Sequence, residues 1–337
     1  MELSVVVPTL NGRDRLARCL DSLAERVADA EVIVVNGPSA DGTTGMVRER
    51  DDVEVLLEVS DRNINVARNA GLREANGDVI AMLDDGFCVE PGWYDAIEET
   101  TARVDVVTGP ADRGLDGGSP TGPDIERVAG RPVTHFDGGN VAFTRSAIEG
   151  IDGFDEYLQV GGADDAAHRL AGRRSTVEWN PEMAVCRGVG TDGGATPPGA
   201  PRTHVRSDEF GRGRTCRSLT YRLVKNYGPR PVMIPAFAGA LGRTQRSGTT
   251  HGPGATHGSG AGRGRVDERG PDGDRTDGTG DGRSPLQWLR GCRSAVCNGL
   301  VGTRDGFLAR VRDRSDRHNP NGTTARADRV VERYDWR

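Results

Sequence analysis

The sequence predicts an α/β protein built on a mostly parallel, doubly wound sheet with helices on both faces. Two observations carry this prediction. Short apolar runs alternate with longer segments of helical periodicity over the first 110 residues. The apolar runs also lack the polar–apolar alternation of a strand with one exposed face, which is typical of strands buried on both faces.

Each expected element has a local reason in the sequence. The strands are runs rich in Val, Ile and Leu, bounded by Gly, Asn or Asp. The first helix places four apolar residues on one face, and Asn11 or Asp14 is expected to cap it. Asn76-Gly77 marks the end of the third helix. In order, the expected strands are 3–7, 31–35, 53–59, 79–83 and 104–109, and the helices between them end near residues 28, 50, 75 and 102.

The composition changes after this region. Residues 111–131 are rich in Gly, Pro and Asp and are expected to form a loop. Residues 244–284 contain 12 glycines and three aliphatic residues, too few to build a core, so they are expected to be disordered. The segments 215–227 and 285–311 are short, amphipathic and expected to be helical. The expected organisation is an α/β domain at 1–190, a helical or irregular extension at 191–243, a disordered linker at 244–284 and a basic segment at 285–337.

Charge is divided unevenly along the chain. Residues 1–190 carry 35 Asp and Glu against 18 Arg, and residues 191–337 carry 15 against 26 basic residues, which gives net charges of −17 and +11. The basic part is therefore expected to meet an acidic surface, either an anionic membrane or the acidic domain of the same chain. Lys225 is the only lysine among the 44 basic residues. No nucleic-acid partner is expected.

The six cysteines show no zinc-binding spacing, and reduced thiols of a cytosolic protein are expected. The sequence shows no signal peptide, and its longest apolar stretch, 232–241, is too short to span a bilayer and contains Pro235. We therefore expect a cytoplasmic protein, with peripheral contact to the inner face of the membrane as an additional possibility.

Two adjacent acids, Asp84 and Asp85, end the fourth predicted strand. In open α/β sheets the ligand crevice lies outside the carboxyl ends of the strands. Hard oxygen ligands at such a place suit Mg²⁺ or Mn²⁺ bridging phosphates. The alternative is a solvated pair that caps the helix near Pro91. A dinucleotide-binding site is disfavoured, because the first strand is followed by PTLNGRDR, with a single glycine, instead of GxGxxG.

Four segments, in order and at matching spacing, resemble the successive motifs of family 2 glycosyltransferases with the non-processive GT-A fold. They are VVVPTLNGRDRLARCLDSL, EVIVVNGPSADGTTGMV, NVARNAGLREANGDVIAMLDDG and GGNVAFTRSAIEGIDGFDE, and the resemblance covers about residues 3–187. It implies metal-dependent, inverting transfer of a single sugar from a nucleotide-diphosphate-sugar to an acceptor. The acceptor is expected to be a glycan, a polyprenyl-phosphate-linked glycan or a small molecule.

The resemblance also implies roles for individual residues. Asp84 matches the ribose contact and Asp85 the ligand of Mg²⁺ or Mn²⁺, whereas Gly86 replaces a third acid that many members carry. Asn36 stands where members usually have an Asp that binds the nucleotide base. Its amide can donate and accept hydrogen bonds, so Asn36 is expected to hydrogen-bond the base. The other implied donor contacts are Pro8, Thr9, Leu10, Asn11, Arg68, Gly138, Gly139 and Asn140.

Two registers compete for the catalytic base. Inverting members use the Asp of a Glu-Asp pair at the start of a helix to deprotonate the acceptor. Counting forward from the GFDE motif gives Asp164, with Asp165 in reserve. Counting back from Arg169 places Ala163 at the base position. The departures at Asn36, Gly86 and Ala163 leave an alternative open: a degenerate GT-A domain that binds nucleotide or glycan without catalysis, as a partner subunit.

Overall fold

The computed structural model describes residues 1–187 except 28 and 113–120, and further along 209–228, 285–313, 319, 321–323 and 330–337. The strands are β1 Leu3–Thr9, β2 Glu31–Asn36, β3 Val55–Val59, β4 Val79–Leu83, β5 Phe87–Val89, β6 Val106–Thr108, β7 Asp124–Val128, β8 Arg131–His135, β9 Asn140–Thr144, β10 Val177–Trp179, β11 Val185–Arg187 and β12 Val330–Asp335. The helices are α1 Arg13–Arg26, α2 Thr43–Arg48, α3 Ile64–Glu74, α4 Trp93–Thr101, α5 Arg145–Gly150, α6 Gly162–Arg173, α7 Glu209–Tyr227 and α8 Pro285–Asp313.

An eight-stranded sheet forms the centre of the molecule, in the order β10-β6-β9-β4-β1-β2-β3-β12. Strands β4, β1, β2 and β3 pair in parallel, as does β10 with β6. Strand β9 is antiparallel to both β4 and β6 and joins these two parallel groups. The predicted α/β class with a mostly parallel sheet is confirmed.

The sheet is buried on both faces, as the uninterrupted apolar runs indicated. Successive side chains of a strand point to opposite faces. Val6 of β1 accordingly packs into one apolar cluster, which includes residues of α3 and α6, while Val5 and Val7 pack into a second cluster with α1 and α4. Two helical layers therefore fix the position of the strand ends where Asp84 and Asp85 lie.

The expected loop at 111–131 is wrong in part, because β7 and β8 form an antiparallel hairpin. Most of β7 is exposed, and Ile125 is 58% exposed, so the strand carries no pattern of buried residues that the sequence could reveal. The expected cap of α1 also differs. Its first turn follows Gly12 without a side-chain cap, and the Asn11 side chain instead accepts a hydrogen bond from the Ala40 N–H.

The two helices expected near 215–227 and 285–311 are present as α7 and α8, which pack against each other. Residues 232–241 and 244–284, for which apolar and disordered segments were expected, lie outside the described residues. In the part of the chain that the structure describes, no helix combines the length and the apolar character needed to cross a membrane.

Candidate active site

The two acids after β4 point into different surroundings. The Asp85 carboxylate accepts a hydrogen bond from the Thr9 hydroxyl at 2.7 Å, and the Arg15 guanidinium reaches its two oxygens at 3.3 and 3.1 Å. The Asp84 side chain is 25% exposed and lies 3.8 Å from the Arg68 guanidinium. Asp84 is therefore the more exposed of the two acids, while Asp85 is tied to the end of β1 and the start of α1.

Two glycines make room for these carboxylates. A Cβ on Gly139 would lie 2.6 Å from Asp84 Oδ2, and a Cβ on Gly12 would lie 2.6 Å from Thr9 Oγ1 and overlap the Asp85 carboxylate. The Asp84 N–H also donates to the Gly139 carbonyl at 3.0 Å. Only glycine, which has no side chain, lets the backbone approach these carboxylates so closely. The loop before β9 is thereby held against the acid pair.

Arg68 lies beneath this loop and is 6% exposed. Its guanidinium donates to the Gly138 carbonyl at 2.7 Å and stacks 5.1 Å from the centre of the Phe154 ring. Burial lowers the pKa of Arg68, and the charges of Asp84 and Asp137 oppose that shift. Arg68 therefore positions the Gly138 loop and Asp84 from inside the protein.

The asparagines expected to contact the donor have internal partners. Asn36 is 1% exposed; its amide oxygen accepts from Ser39 at 2.7 Å and its NH₂ donates to Thr44 at 3.0 Å. Asn140 is 0% exposed and accepts from the Trp93 indole N–H at 3.0 Å. Both amides fix the backbone around the site. Of the remaining expected contacts, Pro8 and Thr9 are buried, and Leu10 and Asn11 are partly exposed.

The competing positions for the base, Ala163, Asp164 and Asp165, lie in the first turn of α6. A Cβ on Gly138 would lie 3.0 Å from the Ala163 Cβ, so Ala163 faces the glycine loop. The Asp164 side chain is 38% exposed, accepts from His135 Nδ1 at 3.1 Å and is also paired with Arg222 of α7. Burial would raise the pKa of Asp164, but the hydrogen bond from His135 and the charge of Arg222 hold it well below its ordinary value. Asp164 is thus a partly exposed, ionised carboxylate held between His135 of β8 and Arg222 of α7.

Asp165 has the opposite environment. Its side chain is 0% exposed and accepts hydrogen bonds from Arg169 at 2.7 Å, from Lys225 at 2.8 Å and from Asn226 at 2.9 Å. The Lys225 ammonium also donates to Asp155 at 2.7 Å. The charges of Lys225 and Arg169 outweigh burial and lower the pKa of Asp165. Both carboxylate oxygens are therefore committed to holding α7 on α6.

The side chains around Asp84 and Asp85 suit a metal ion only when a bound donor supplies further oxygen atoms. Among the described residues, no three His, Cys, Asp or Glu side chains are placed to hold an ion by themselves. Mg²⁺ commonly binds through one or two carboxylates and completes its shell with water and substrate phosphates. Asp84 and Asp85 satisfy that requirement, provided that the donor diphosphate supplies the remaining oxygens.

Sequence reasoning missed Arg15, His135, Arg222 and Trp93, all of which contact predicted site residues. Arg15 sits in the first helical turn, where nothing distinguishes it from neighbouring arginines in the sequence. Lys225 did carry a signal, since it is the only lysine in the chain.

Part of the chain is similar in sequence to known glycosyltransferases. Residues 4–151 match the family model described as Glycosyl transferase family 2. Glycosyltransferase AglE of Haloferax volcanii is 28% identical over 116 residues, which cover 32% of this chain and 38% of AglE. The succinoglycan biosynthesis protein ExoO of Rhizobium meliloti is 36% identical over 107 residues, or 31% of this chain and 30% of ExoO. The matched segment thus spans about a third of the length of these relatives.

Solved structures resemble the chain over a larger part of its length. S. aureus TarS 1-349 in complex with UDP superposes with a TM-score of 0.54 at 14% identity, covering 93% of this chain and 91% of that chain. The same protein in complex with UDP-GlcNAc gives 0.51 at 15% identity, covering 67% and 68%. At these identities the likeness concerns the fold alone. By its motifs and by the match over residues 4–151, the chain is similar to glycosyl transferase family 2, and its sheet has the GT-A fold.

Proposed function

We propose that this protein transfers a single sugar from a nucleotide-diphosphate-sugar to an acceptor hydroxyl. The observation that carries the proposal is the Asp84–Asp85 pair at the carboxyl end of β4, with Gly139 packed against Asp84. The family match over residues 4–151 supports the reaction class, and the TarS structures hold UDP and UDP-GlcNAc on a similar fold. The donor is therefore a nucleotide-sugar, with Asp84 as the proposed ribose contact.

The proposal includes Mg²⁺ or Mn²⁺, held by Asp85 and the donor diphosphate. The metal would offset the charge of the leaving nucleoside diphosphate as the glycosidic bond breaks. The Asp85 carboxylate, which pairs with Arg15 in this structure, would hold the metal. Thr9 keeps the carboxylate oriented through its hydrogen bond.

Asp164 is the proposed base of an inverting single displacement. The 38% exposure of its side chain supports this role, whereas the Asp165 side chain is 0% exposed and buried in ion pairs with Lys225 and Arg169. The acceptor oxygen attacks the anomeric carbon, its proton passes to Asp164, and the bond to the diphosphate oxygen breaks with its electron pair. The acceptor is a glycan, a lipid-linked glycan or a small molecule.

The first test measures release of nucleoside diphosphate from a panel of nucleotide-sugars, with and without Mn²⁺, in the presence of candidate acceptors. Asp84→Asn and Asp85→Asn should each reduce turnover by about 100-fold or more, because charge stabilisation at the leaving group is lost. Asp95→Asn on the exposed surface of α4 is the matched control and should leave turnover unchanged. Full activity in both site variants would overturn the assignment.

The degenerate domain remains the second candidate, favoured by Asn36, Gly86 and Ala163. The Asp164→Asn variant separates the two functions. An enzyme loses kcat but retains donor affinity in this variant, measured by thermal shift, because a bound ligand stabilises the fold by mass action. A binding module shows a donor-dependent shift and no transfer in either form.

We also propose that α8 contacts an anionic membrane. Half of the large apolar side chains that are exposed in the described chain lie on α8: Leu300, Phe307, Leu308 and Val311. Arg304 and Arg312 are exposed beside them, and the region from 191 onward carries the +11 net charge. An apolar helical stripe flanked by arginines suits the boundary between headgroups and acyl chains of anionic lipids.

Flotation of the full chain with liposomes rich in anionic lipid tests this contact. Phe307→Asp combined with Leu308→Asp should abolish flotation, whereas Ile125→Asp, which alters an equally exposed apolar residue on β7, should not. High salt should weaken flotation of the wild-type chain, since the arginine contribution is screened. Flotation that persists in the double variant would contradict the proposal.

A further inference from the structure

Two cysteines face each other on the small sheet beside the acid pair. Cys88 of β5 and Cys186 of β11 are direct cross-strand partners in an antiparallel register. Such partners have Cα atoms about 4.5–5.5 Å apart. A disulfide spans Cα separations of about 4.4–6.8 Å. The Cα separation that this register gives therefore lies within the range that a disulfide spans.

Both thiols are partly exposed and free. The Cys88 thiol donates to the Arg18 carbonyl of α1 at 3.6 Å. Burial and a hydrogen bond with Glu90 raise the pKa of Cys186 to about 12, and burial raises the pKa of Cys88. Cys19 and Cys216, by contrast, are buried.

We propose that Cys88 and Cys186 form a reversible disulfide that joins β5 to β11, by exchange with a low-molecular-weight disulfide such as glutathione disulfide. One cysteine thiolate attacks a glutathione sulfur and expels a glutathione thiolate, which leaves a mixed disulfide. The second cysteine thiolate then attacks the protein sulfur of that mixed disulfide and expels the second glutathione. The two protein thiols are oxidised, and glutathione disulfide is reduced to two thiolates, which take up the two protons that the protein thiols release.

The bond would fix the segment that follows the acid pair. Strand β5 begins two residues after Asp85, and the Phe87 N–H donates to the Asp84 carbonyl at 3.0 Å. Strand β11 is the only partner of β5 within the described sheets. Joining the two strands therefore restrains the turn that carries Asp84 and Asp85. This inference is independent of the proposed reaction, because it concerns thiols that no step of that reaction uses.

The test incubates the full chain with glutathione disulfide in mildly alkaline buffer, because the raised thiol pKa values make exchange slow near neutrality. Free thiols are then alkylated, and the peptides are mapped by mass spectrometry before and after reduction. We expect a cross-linked peptide pair containing Cys88 and Cys186, with the loss of two of the six alkylatable thiols, reversed by dithiothreitol.

Variants decide whether the pair is specific. Cys88→Ser and Cys186→Ser should each abolish the cross-link, and Cys216→Ser should leave it intact. If Ser disturbs folding at Cys88, Cys88→Ala serves in its place, because Ala needs no hydrogen-bond partner. Glutathione adducts on both cysteines without a cross-link, or a cross-link that joins other cysteines, would overturn the proposal.

Discussion

At the scale of single residues, Asp164 and Asp165 show how one step along a helix separates two environments. Consecutive residues of an α-helix point about 100° apart. Asp164 is 38% exposed and pairs with Arg222 of α7, whereas Asp165 is 0% exposed and is neutralised by Lys225 of α7 and Arg169 of α6. Both residues are aspartates, so the sequence does not distinguish them. Their directions on the helix leave Asp164 partly exposed and bury Asp165.

The pH dependence of stability follows from His168. Its ring is 1% exposed and pairs with the Tyr227 hydroxyl at 2.8 Å. Burial, with the nearby charges of Arg222 and His135, lowers the pKa of His168 to about 3. Unfolded chains bind this proton near pH 6.5, and the folded protein does not, so the free energy of unfolding falls with decreasing pH in the window from about 6.5 to about 3.

We therefore expect the free energy of unfolding to drop by about 1.4 kcal/mol per pH unit between about pH 6.5 and 5, from His168 alone. Urea unfolding of the wild-type chain and of His168→Gln at these two pH values measures the difference. His135→Gln is the control: the raised pKa of His135 places its contribution above this window, where it is lost as pH increases. An identical slope in wild type and His168→Gln would contradict this account.

The sequence predicted those parts of the site that depend on neighbouring residues in the chain, but not those that depend on contacts between distant residues. The Asp84–Asp85 pair follows directly from an apolar run, and its place at a strand end was predictable. The split between the two acids was not, because it depends on Arg15 and Arg68, which reach them across 70 and 16 residues of chain. The internal hydrogen bonds of Asn36 and Asn140 were likewise not predicted, because they depend on how the chain folds.

At the scale of elements, α7 is held to α6 by a buried charge cluster. Lys225 is 2% exposed and bridges Asp155 and Asp165, both 0% exposed. The Tyr221 hydroxyl donates to Asp155 at 2.8 Å. Periodicity was sufficient to predict the helix near 215–227. The packing of this helix on α6 was not predictable, because the local sequence does not show that Lys225 pairs with two distant carboxylates.

Removing this lysine should destabilise the protein strongly. Lys225→Met leaves two buried carboxylates without their shared cation, and breaking a buried ion pair from one side costs about 3–5 kcal/mol. Urea unfolding measures the loss, and adding Asp155→Asn should recover part of it. Arg26→Met, which removes an exposed pair with Glu25, should change stability little. A Lys225→Met protein as stable as wild type would show that α7 is held by its apolar contacts instead.

At the scale of the whole molecule, part of the basic region meets the acidic domain of the same chain. Arg222 pairs with Asp164, Arg333 pairs with Glu74 at 2.9 Å, and Arg337 approaches Glu31 at 3.1 Å. The outer face of α8 keeps its exposed apolar stripe. The acidic domain therefore engages α7 and β12, while the membrane contact of α8 stays a proposal.

Strand β12 completes the sheet across the longest separation in sequence. It pairs antiparallel with β3, whose Val55, Leu56 and Leu57 are 0% exposed, and the Trp336 N–H donates to the Glu54 carbonyl at 2.9 Å. The exposed side chains of β12 carry no buried pattern, which is why its position could not be predicted.

Deleting residues 330–337 should leave β3 as an open edge with unpaired N–H and carbonyl groups. Such an edge pairs readily with another chain. We expect a lower midpoint of thermal unfolding and concentration-dependent association, measured by calorimetry and by size-exclusion chromatography with light scattering. Val331→Lys alters a side chain that is 65% exposed and keeps the strand, so it should change neither property. A deletion variant that melts and elutes like the wild-type chain would mean that the sheet is already complete at β3.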